Sequence, residues 1–149
     1  MPMIEHFDAE SIMRLPKAEF GFPGPERDRL VALILSGAKT ATAALLMDYT
    51  EDDEPLPHVG GRSALVDSAD RPVAVLETTE VETVPLGSVT DRQVVDEGEG
   101  DVTVVQWRRT HESFWDSEEY RGWFADPDFV VDDGTMVVLE HFTVVERLR

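Results

Sequence analysis

Residues 73–84 read VAVLETTEVETV, and this run of β-branched and apolar residues between two prolines predicts a long β-strand. Two similar segments, at 64–67 and 135–146, predict further strands. Acidic and hydroxyl residues interrupt the apolar positions of 73–84, as expected for a sheet with one face in solvent. We therefore expect these three segments to form the sheet of this protein.

Helices are predicted before and between the strands. Pro25 suits the first position of a helix, residues 26–36 carry apolar side chains on one side, and Gly37 suits the left-handed residue after the helix end. The candidate N-caps of the other helices are Asp8, then Ser88 or Thr90, and Asp101. Because helices and strands do not alternate one by one, we expect an α+β fold, a small mixed or antiparallel β-barrel with flanking helices.

The composition indicates one globular domain. The chain has 149 residues, of which 13 are basic and 31 acidic, giving a formal net charge of -18. This length suits a single domain over residues 1–149, with 1–19 as an N-terminal arm. The absence of cysteine excludes disulfides, a cysteine nucleophile and thiolate metal sites. We predict neither a metal nor a cofactor, and the sequence leaves the oligomeric state open.

Charge and hydropathy also limit the partners. The chain has neither the long apolar run of a membrane span nor the start of a signal peptide, so a cytoplasmic protein without a membrane partner is expected. A charge of -18 repels polyanions, so charge-driven binding to bulk duplex DNA is not expected. Any nucleic-acid role must come from a local site.

The first candidate site is Gly37-Ala38-Lys39-Thr40-Ala41-Thr42, directly after the predicted long helix. Lys39 is one of only two lysines, and a lysine beside a threonine could be a base or an electrostatic clamp for a hydroxyl nucleophile. In an ideal strand Lys39 and Thr42 would face opposite sides, so pairing them needs a turn or bulge. The structural alternative is a lysine that favours the helix dipole, followed by threonines that begin a strand.

The second candidate is the acidic segment 96–101, DEGEGD. Its carboxylates could orient a catalytic lysine or bind a hard cation, although the pattern lacks the spacing of an EF-hand. If Glu97 or Glu99 pairs with Lys39, the lysine stays protonated and can stabilise an oxyanion, whereas burial alone would lower its pKa toward that of a base. The alternative is an acidic loop that caps the next helix.

The third candidate is the aromatic segment 107–129, which interleaves rings with arginines. Such surfaces can stack an unpaired base, although most of these rings have the helical spacing of a core. The residues singled out as substrate contacts are Trp107, Arg108, His111 and Ser113, together with Thr40. No acid completes a serine triad with His111 and Ser113, and His6, His58 and His141 lack metal-ligand spacing.

Taken in order, these motifs resemble the ASCH family, a group of small domains similar to PUA-like barrels. The resemblance spans about residues 20–146 and is most specific in Gly37-x-Lys39-Thr40-x-Thr42 and in Glu97-Gly98-Glu99-Gly100-Asp101 with Trp107-Arg108 and His111 downstream. It implies a β-barrel with a cleft near Lys39 that takes RNA or a nucleobase. Gly61 and Phe22 replace two carboxylates that are common in the family, which affects the rim of that cleft.

The resemblance implies two hydrolase activities. Some members cleave N4-acylated cytidine, which carries a catalytic role to Lys39, Thr42 and either Glu97 or Glu99; others are described as ribonucleases, which again implicates Lys39. We therefore expect a nucleobase- or RNA-binding domain with hydrolase activity, whose partner is a nucleoside or single-stranded RNA. The net charge favours a small neutral ligand. The alternative is a non-catalytic RNA-binding regulatory module.

Overall fold

The computed structural model describes residues 8–148, so the first seven residues of the predicted arm, His6 included, lie outside the described part. The helices, in chain order, are α1 (Ala9–Arg14), α2 (Pro25–Ser36), α3 (Leu46–Glu51), α4 (Asp91–Glu97), α5 (Val104–Trp115) and α6 (Glu118–Arg121). The strands are β1 (Lys17–Ala18), β2 (Ala41–Leu45), β3 (Arg62–Val66), β4 (Pro72–Pro85) and β5 (Met136–Arg147).

The five strands form one mixed sheet in the order β1-β3-β4-β5-β2. All neighbours are antiparallel except β1 and β3. The α+β class is confirmed, but the closed barrel is wrong, because β1 and β2 remain at opposite edges of the sheet as described over residues 8–148. Closure fails because β1 is only two residues long and β2 passes directly into α3.

The sheet is covered on both faces. α2 packs against the face that carries Leu65, Leu76 and Phe142. The larger cluster lies between α4, α5, α6 and strands β2 and β5, with Trp107 and Trp115 almost fully buried at its centre. This second layer is the reason that most rings of the aromatic segment serve as core.

Local signals predicted some helix ends correctly and others wrongly. Pro25 begins α2, Gly37 follows it with a left-handed φ of 86°, and Asp8 caps α1. The cap of α5 is Thr103 instead of Asp101: the Thr103 hydroxyl accepts the backbone N–H of Gln106. The acidic segment 48–57 begins within α3, which has Asp48 in its first turn.

None of the helices within residues 8–148 has the length and apolar character needed to cross a lipid bilayer.

Candidate functional site

Lys39 lies in the short segment between α2 and β2, and its side chain is only 1% exposed. Its Nζ donates to the carbonyl oxygen of Ala41 at 2.7 Å and to Oε2 of Glu99 at 2.8 Å. A third acceptor, the carbonyl oxygen of Glu97, is farther away at 3.4 Å. An ammonium has three donors, so this arrangement engages two of them strongly and the third weakly.

The acidic loop reaches Lys39 because Gly98 allows a close backbone contact. Gly98 ends α4 with a left-handed φ of 64°, and its N–H bonds to Val95. A Cβ at this position would lie 1.9 Å from the carbonyl oxygen of Ala38. Thr40 completes the junction, since both its N–H and its hydroxyl donate to the carbonyl oxygen of Asp96. The glycine therefore lets the loop that carries Glu97 and Glu99 dock on the end of α2.

Glu97 is buried below this junction, at the C-terminal end of α4. Its Oε2 accepts from Trp107 Nε1 at 2.8 Å and from Gln93 Nε2 at 3.0 Å. Its Oε1 lies 3.2 Å from Nε2 of His111, an ion-pair contact, and has no other polar partner within residues 8–148. His111 stacks on Trp107 with ring centroids 4.2 Å apart. One carboxylate oxygen thus has His111 as its single close polar neighbour in the described part of the chain.

Burial and charge shift the pKa values of Glu97 and His111 in opposite directions. Burial would raise the pKa of Glu97, but the contact with His111 and the charges of His111 and Lys39 outweigh it and hold the pKa below its ordinary value. Burial would lower the pKa of His111, but its contact with Glu97 and the charge of that carboxylate raise it instead. The charged form of each group is stabilised by the other.

Thr42 is linked to the cluster through its backbone. Lys39 donates to the carbonyl of the peptide that joins Ala41 to Thr42, and Gln93 Nε2 lies 3.2 Å from the carbonyl oxygen of Thr42. The hydroxyl of Thr42 has no hydrogen bond in the described part of the chain. The predicted residues therefore meet, except that no direct bond joins Thr42 Oγ1 to Lys39.

The register of the sheet gives Thr42 a different acidic neighbour. Thr42 pairs directly with Glu140 on β5, so the two side chains project from the same face. Oε2 of Glu140 accepts a hydrogen bond from Thr78 Oγ1 at 2.6 Å. Burial raises the pKa of Glu140, and the hydrogen bond from Thr78 opposes this only in part. A hydroxyl therefore stands opposite an oriented carboxyl group.

A small cavity of about 170 Å³ opens beside Lys39, between the end of α2 and β5. Its wall includes Ile34, Lys39, Thr40 and Phe142. Phe20 lies close by, with its ring centroid 6.0 Å from Lys39 Nζ and in an edge contact with Phe142. The cavity wall thus combines aromatic and aliphatic side chains with two basic residues, Lys39 and Arg147, which suits a small planar ligand.

Two other predicted contacts have no place in this cluster. Arg108 pairs with Glu112 at 2.7 Å and with Asp133. Ser113 is exposed on α5. Phe22, one of the two departures at the predicted rim, is partly buried against the larger core cluster, and its ring contacts that of the exposed Phe114.

Sequence reasoning missed Glu140, Thr78 and Gln93. The acidic residues of 73–84 were interpreted as a solvated face, and Glu140, in the predicted strand 135–146, was not singled out, although it is partly buried. The signal was available: Glu140 stands in the run MVVLEHF, where a lone carboxylate in an otherwise apolar strand needs a partner. No comparable signal in the sequence singles out Gln93 or Thr78.

An open five-stranded mixed sheet with helices on both faces and a buried lysine–glutamate pair after the first long helix defines a small α+β domain. The chain belongs to the ASCH family, because the family model described as "ASCH domain" matches residues 19–146. Membership in this family supports a nucleic-acid-binding, PUA-like domain. A search among curated proteins gave no match.

Two crystal structures are similar to this chain. One is the ASCH domain from Lactobacillus crispatus JV V101, with 25% identity and a TM-score of 0.75, over 95% of this chain and 87% of that chain. The other is protein EF3133 from Enterococcus faecalis V583, with 30% identity and a TM-score of 0.69, over 80% of this chain and 68% of that chain.

Proposed function

We propose that this protein is a hydrolase that binds a nucleobase beside Lys39 and cleaves the amide of an N4-acylated cytidine. The observation that carries the proposal is the pairing of Thr42 with Glu140, three residues along the chain from a buried lysine whose third donor is only weakly used. A hydroxyl nucleophile needs an adjacent base, and the base needs a group that orients it. Glu140 and Thr78 supply these two roles.

In this mechanism Thr42 Oγ1 attacks the acyl carbon and Glu140 accepts the hydroxyl proton. The carbon–nitrogen bond then breaks, and the N4 amine of cytidine leaves with a proton from Glu140. Water next cleaves the threonine ester, which releases the carboxylic acid and restores the hydroxyl. A base with a raised pKa is closer to neutral pH and so is better matched to both proton transfers.

Lys39 serves as the electrostatic group of the proposed site. The ammonium is held by Ala41 and Glu99 and can turn its weakly engaged donor toward the developing oxyanion. Glu99, through its carboxylate, and Glu97, through its backbone carbonyl, hold the ammonium in place. In this assignment the two glutamates predicted from the sequence are positioning residues, and Glu140 is the proton acceptor.

The charge of the chain supports a neutral substrate. A formal charge of -18 opposes the approach of a polyanion, whereas an acylated nucleoside carries no charge to repel. The cavity beside Lys39 is also small, which suits a single base.

The test uses N4-acetylcytidine and the variant Thr42→Val, which removes the hydroxyl but keeps the branched shape that suits a strand. Turnover should fall at least about 100-fold, since a covalent route without its nucleophile is lost. The control is Thr83→Val, an exposed threonine of β4, which should leave turnover unchanged. Turnover by Thr42→Val at the wild-type rate would remove the threonine from the mechanism.

One observation favours a second function, a non-catalytic module that holds an RNA base. Two of the three Lys39 donors are strongly bonded inside the protein, and Thr42 Oγ1 has no hydrogen bond within residues 8–148. Binding of N4-acetylcytidine or of a short single-stranded RNA without any product would support this module. If RNA is cleaved instead, the rate should fall steeply with salt, because phosphate contacts release counterions.

A further inference from the structure

Glu97, Glu99 and His111 bring two carboxylates and one imidazole together in the interior. One candidate ligand atom from each residue lies within 4.8 Å of the other two. These residues come from α4, from the loop after it and from α5, so their spacing in the sequence shows no metal-ligand pattern. The fold assembles a donor set that the motifs did not predict.

The oxygen Oε1 of Glu97 points to a missing partner in this cluster. Glu97 is 1% exposed, and this oxygen makes no hydrogen bond in the part of the chain that is described. Gln93 and Trp107 satisfy the other oxygen. A buried carboxylate oxygen without a donor is costly, and a bound cation would remove that cost.

The geometry around His111 is compatible with a shared ion. Nε2 of His111 and Oε1 of Glu97 are 3.2 Å apart, at an ion-pair distance. Two ligand atoms that each lie about 2.1 Å from one ion, at an angle of about 100°, have about this separation. Both atoms can therefore be directed at a third point between them.

The other nitrogen of His111 is already held as in a metal site. Nδ1 lies 2.9 Å from the carbonyl oxygen of Trp107, and a carbonyl only accepts, so Nδ1 is the donor. This leaves the lone pair of Nε2 in a neutral imidazole free for an ion. Histidine ligands in metalloproteins are commonly oriented by such a backbone contact.

Glu99 can complete the site without leaving Lys39. Its Oε2 binds Lys39 Nζ, whereas its Oε1 has only a long contact of 3.5 Å with Arg29. Glu99 stands between Gly98 and Gly100, both with positive φ, so the loop backbone is not crowded by side chains. Arg29 also pairs with Glu26 at 3.0 Å. With a neutral His111, the three carboxylates of this group (Glu97, Glu99 and Glu26) and its two cations (Lys39 and Arg29) leave a net charge of -1, which attracts a cation.

We propose that Glu97, Glu99 and His111 bind one divalent transition-metal ion. A ligand set of one imidazole and two carboxylates suits Zn²⁺, Co²⁺ or Mn²⁺ better than the all-oxygen ions Ca²⁺ and Mg²⁺. The site is separate from the proposed nucleophile and base, so it stands whether or not the protein is a hydrolase.

The test titrates Co²⁺ into the full chain, freed of metal with a chelator, and follows visible absorbance and heat. One ion should bind per chain, and His111→Gln should weaken binding at least about tenfold. The matched control is His141→Gln, since His141 is also partly buried and lies 2.9 Å from Asp96; it should bind as the wild type does. No binding at millimolar Co²⁺, or equal weakening by both variants, would overturn the site.

A second measurement uses the unmodified chain in case His111→Gln does not fold. Mn²⁺ at about one tenth of an equivalent should broaden the indole N–H resonance of Trp107, whose Nε1 contacts Glu97, before that of Trp123, which is 72% exposed. The Trp123→Phe variant identifies the exposed signal. Broadening of Trp123 first, or of neither indole, would contradict the proposal.

Discussion

The two lysines of the chain differ in surroundings, and this difference gives a matched pair of variants. Lys39 is buried and paired with Glu99, whereas Lys17 pairs with Asp70 while more than half exposed. Lys39→Met leaves a mostly buried carboxylate without its cation, which should cost about 3 kcal/mol of unfolding free energy. Lys17→Met should cost less than about 1 kcal/mol.

Urea denaturation followed by circular dichroism measures both variants, and turnover of N4-acetylcytidine measures function. We expect Lys39→Met to lose turnover and Lys17→Met to retain it. Equal unfolding free energies for the two variants would show that the buried pair contributes no more than the exposed one.

Glu140 provides a prediction about pH. Because burial raises its pKa in the folded state, its protonated form favours folding, and the contribution of this group is complete below the ordinary pKa of glutamate. That contribution is lost as pH rises through the folded pKa. At neutral pH the charge of Glu140 therefore destabilises the fold, and the neutral Glu140→Gln should be more stable than the wild type.

The expected gain is about 2 to 4 °C in Tm at pH 7, by scanning calorimetry, with the difference shrinking toward pH 4. Glu82→Gln is the control, because it removes the same charge from an exposed position of the neighbouring strand. If Glu140 is the base of a hydrolase, the stabilised variant should also be inactive, as is common for residues held for function. A Tm for Glu140→Gln below that of Glu82→Gln would contradict the pKa direction.

At the scale of elements, the end of α4 decides whether the acidic loop can reach Lys39. Gly98→Ala meets two obstacles: a positive φ, and a Cβ only 1.9 Å from the carbonyl of Ala38. Gly37→Ala meets only the first, because no atom lies within 4 Å of its Cβ. Each positive φ should cost about 1 kcal/mol or somewhat more, and the steric contact adds to this in Gly98→Ala.

Calorimetry should therefore show a lower Tm for Gly98→Ala than for Gly37→Ala, and Co²⁺ affinity should fall only in the former. Equal Tm values for Gly98→Ala and Gly37→Ala would show that the contact between the Gly98 loop and the end of α2 is not tight.

Some elements were predictable because their signals are local. Pro25 and Gly37 mark the ends of α2 by backbone restrictions that act within a few residues. The three main strands follow from β-branched runs. Barrel closure was predicted wrongly because it depends on whether two edge strands meet, which no local pattern contains, and the cap at Thr103 competed with Asp101 two residues away.

The residues of the candidate site also divide into those that local motifs predict and those that only the fold brings together. Lys39, Glu97 and Glu99 could be singled out as motifs, although which glutamate binds the amine needed the fold: Glu99 takes the side-chain bond and Glu97 contributes its carbonyl. The partner of Thr42 could not be predicted, because it depends on the register between β2 and β5. A shift by one residue would have placed His141 opposite Thr42.

For the whole molecule, the surplus of acid predicts a salt effect on stability. A formal charge of -18 on a chain of this size repels itself, and the Debye length shortens from about 30 Å at 0.01 M salt to about 8 Å at 0.15 M. NaCl over this range should raise Tm by a few degrees at pH 7. At a pH near the isoelectric point of 4.3 the same salt should have little effect. A Tm at pH 7 that does not change with salt would contradict this account.

The contact between the Gly98 loop and Ala38 also determines when Lys39 becomes buried during folding. Ala38 and Gly98 are separated by about sixty positions of chain, so their contact closes a long loop. Helices form from local contacts, and we expect them to form before this long-range contact does. In a refolding experiment, helical signal should therefore return before Lys39 becomes shielded from acylating reagents. A nascent chain released before β5 is synthesised would contain Lys39, Glu97 and Glu99, but it would lack Glu140 and the strand that pairs with Thr42.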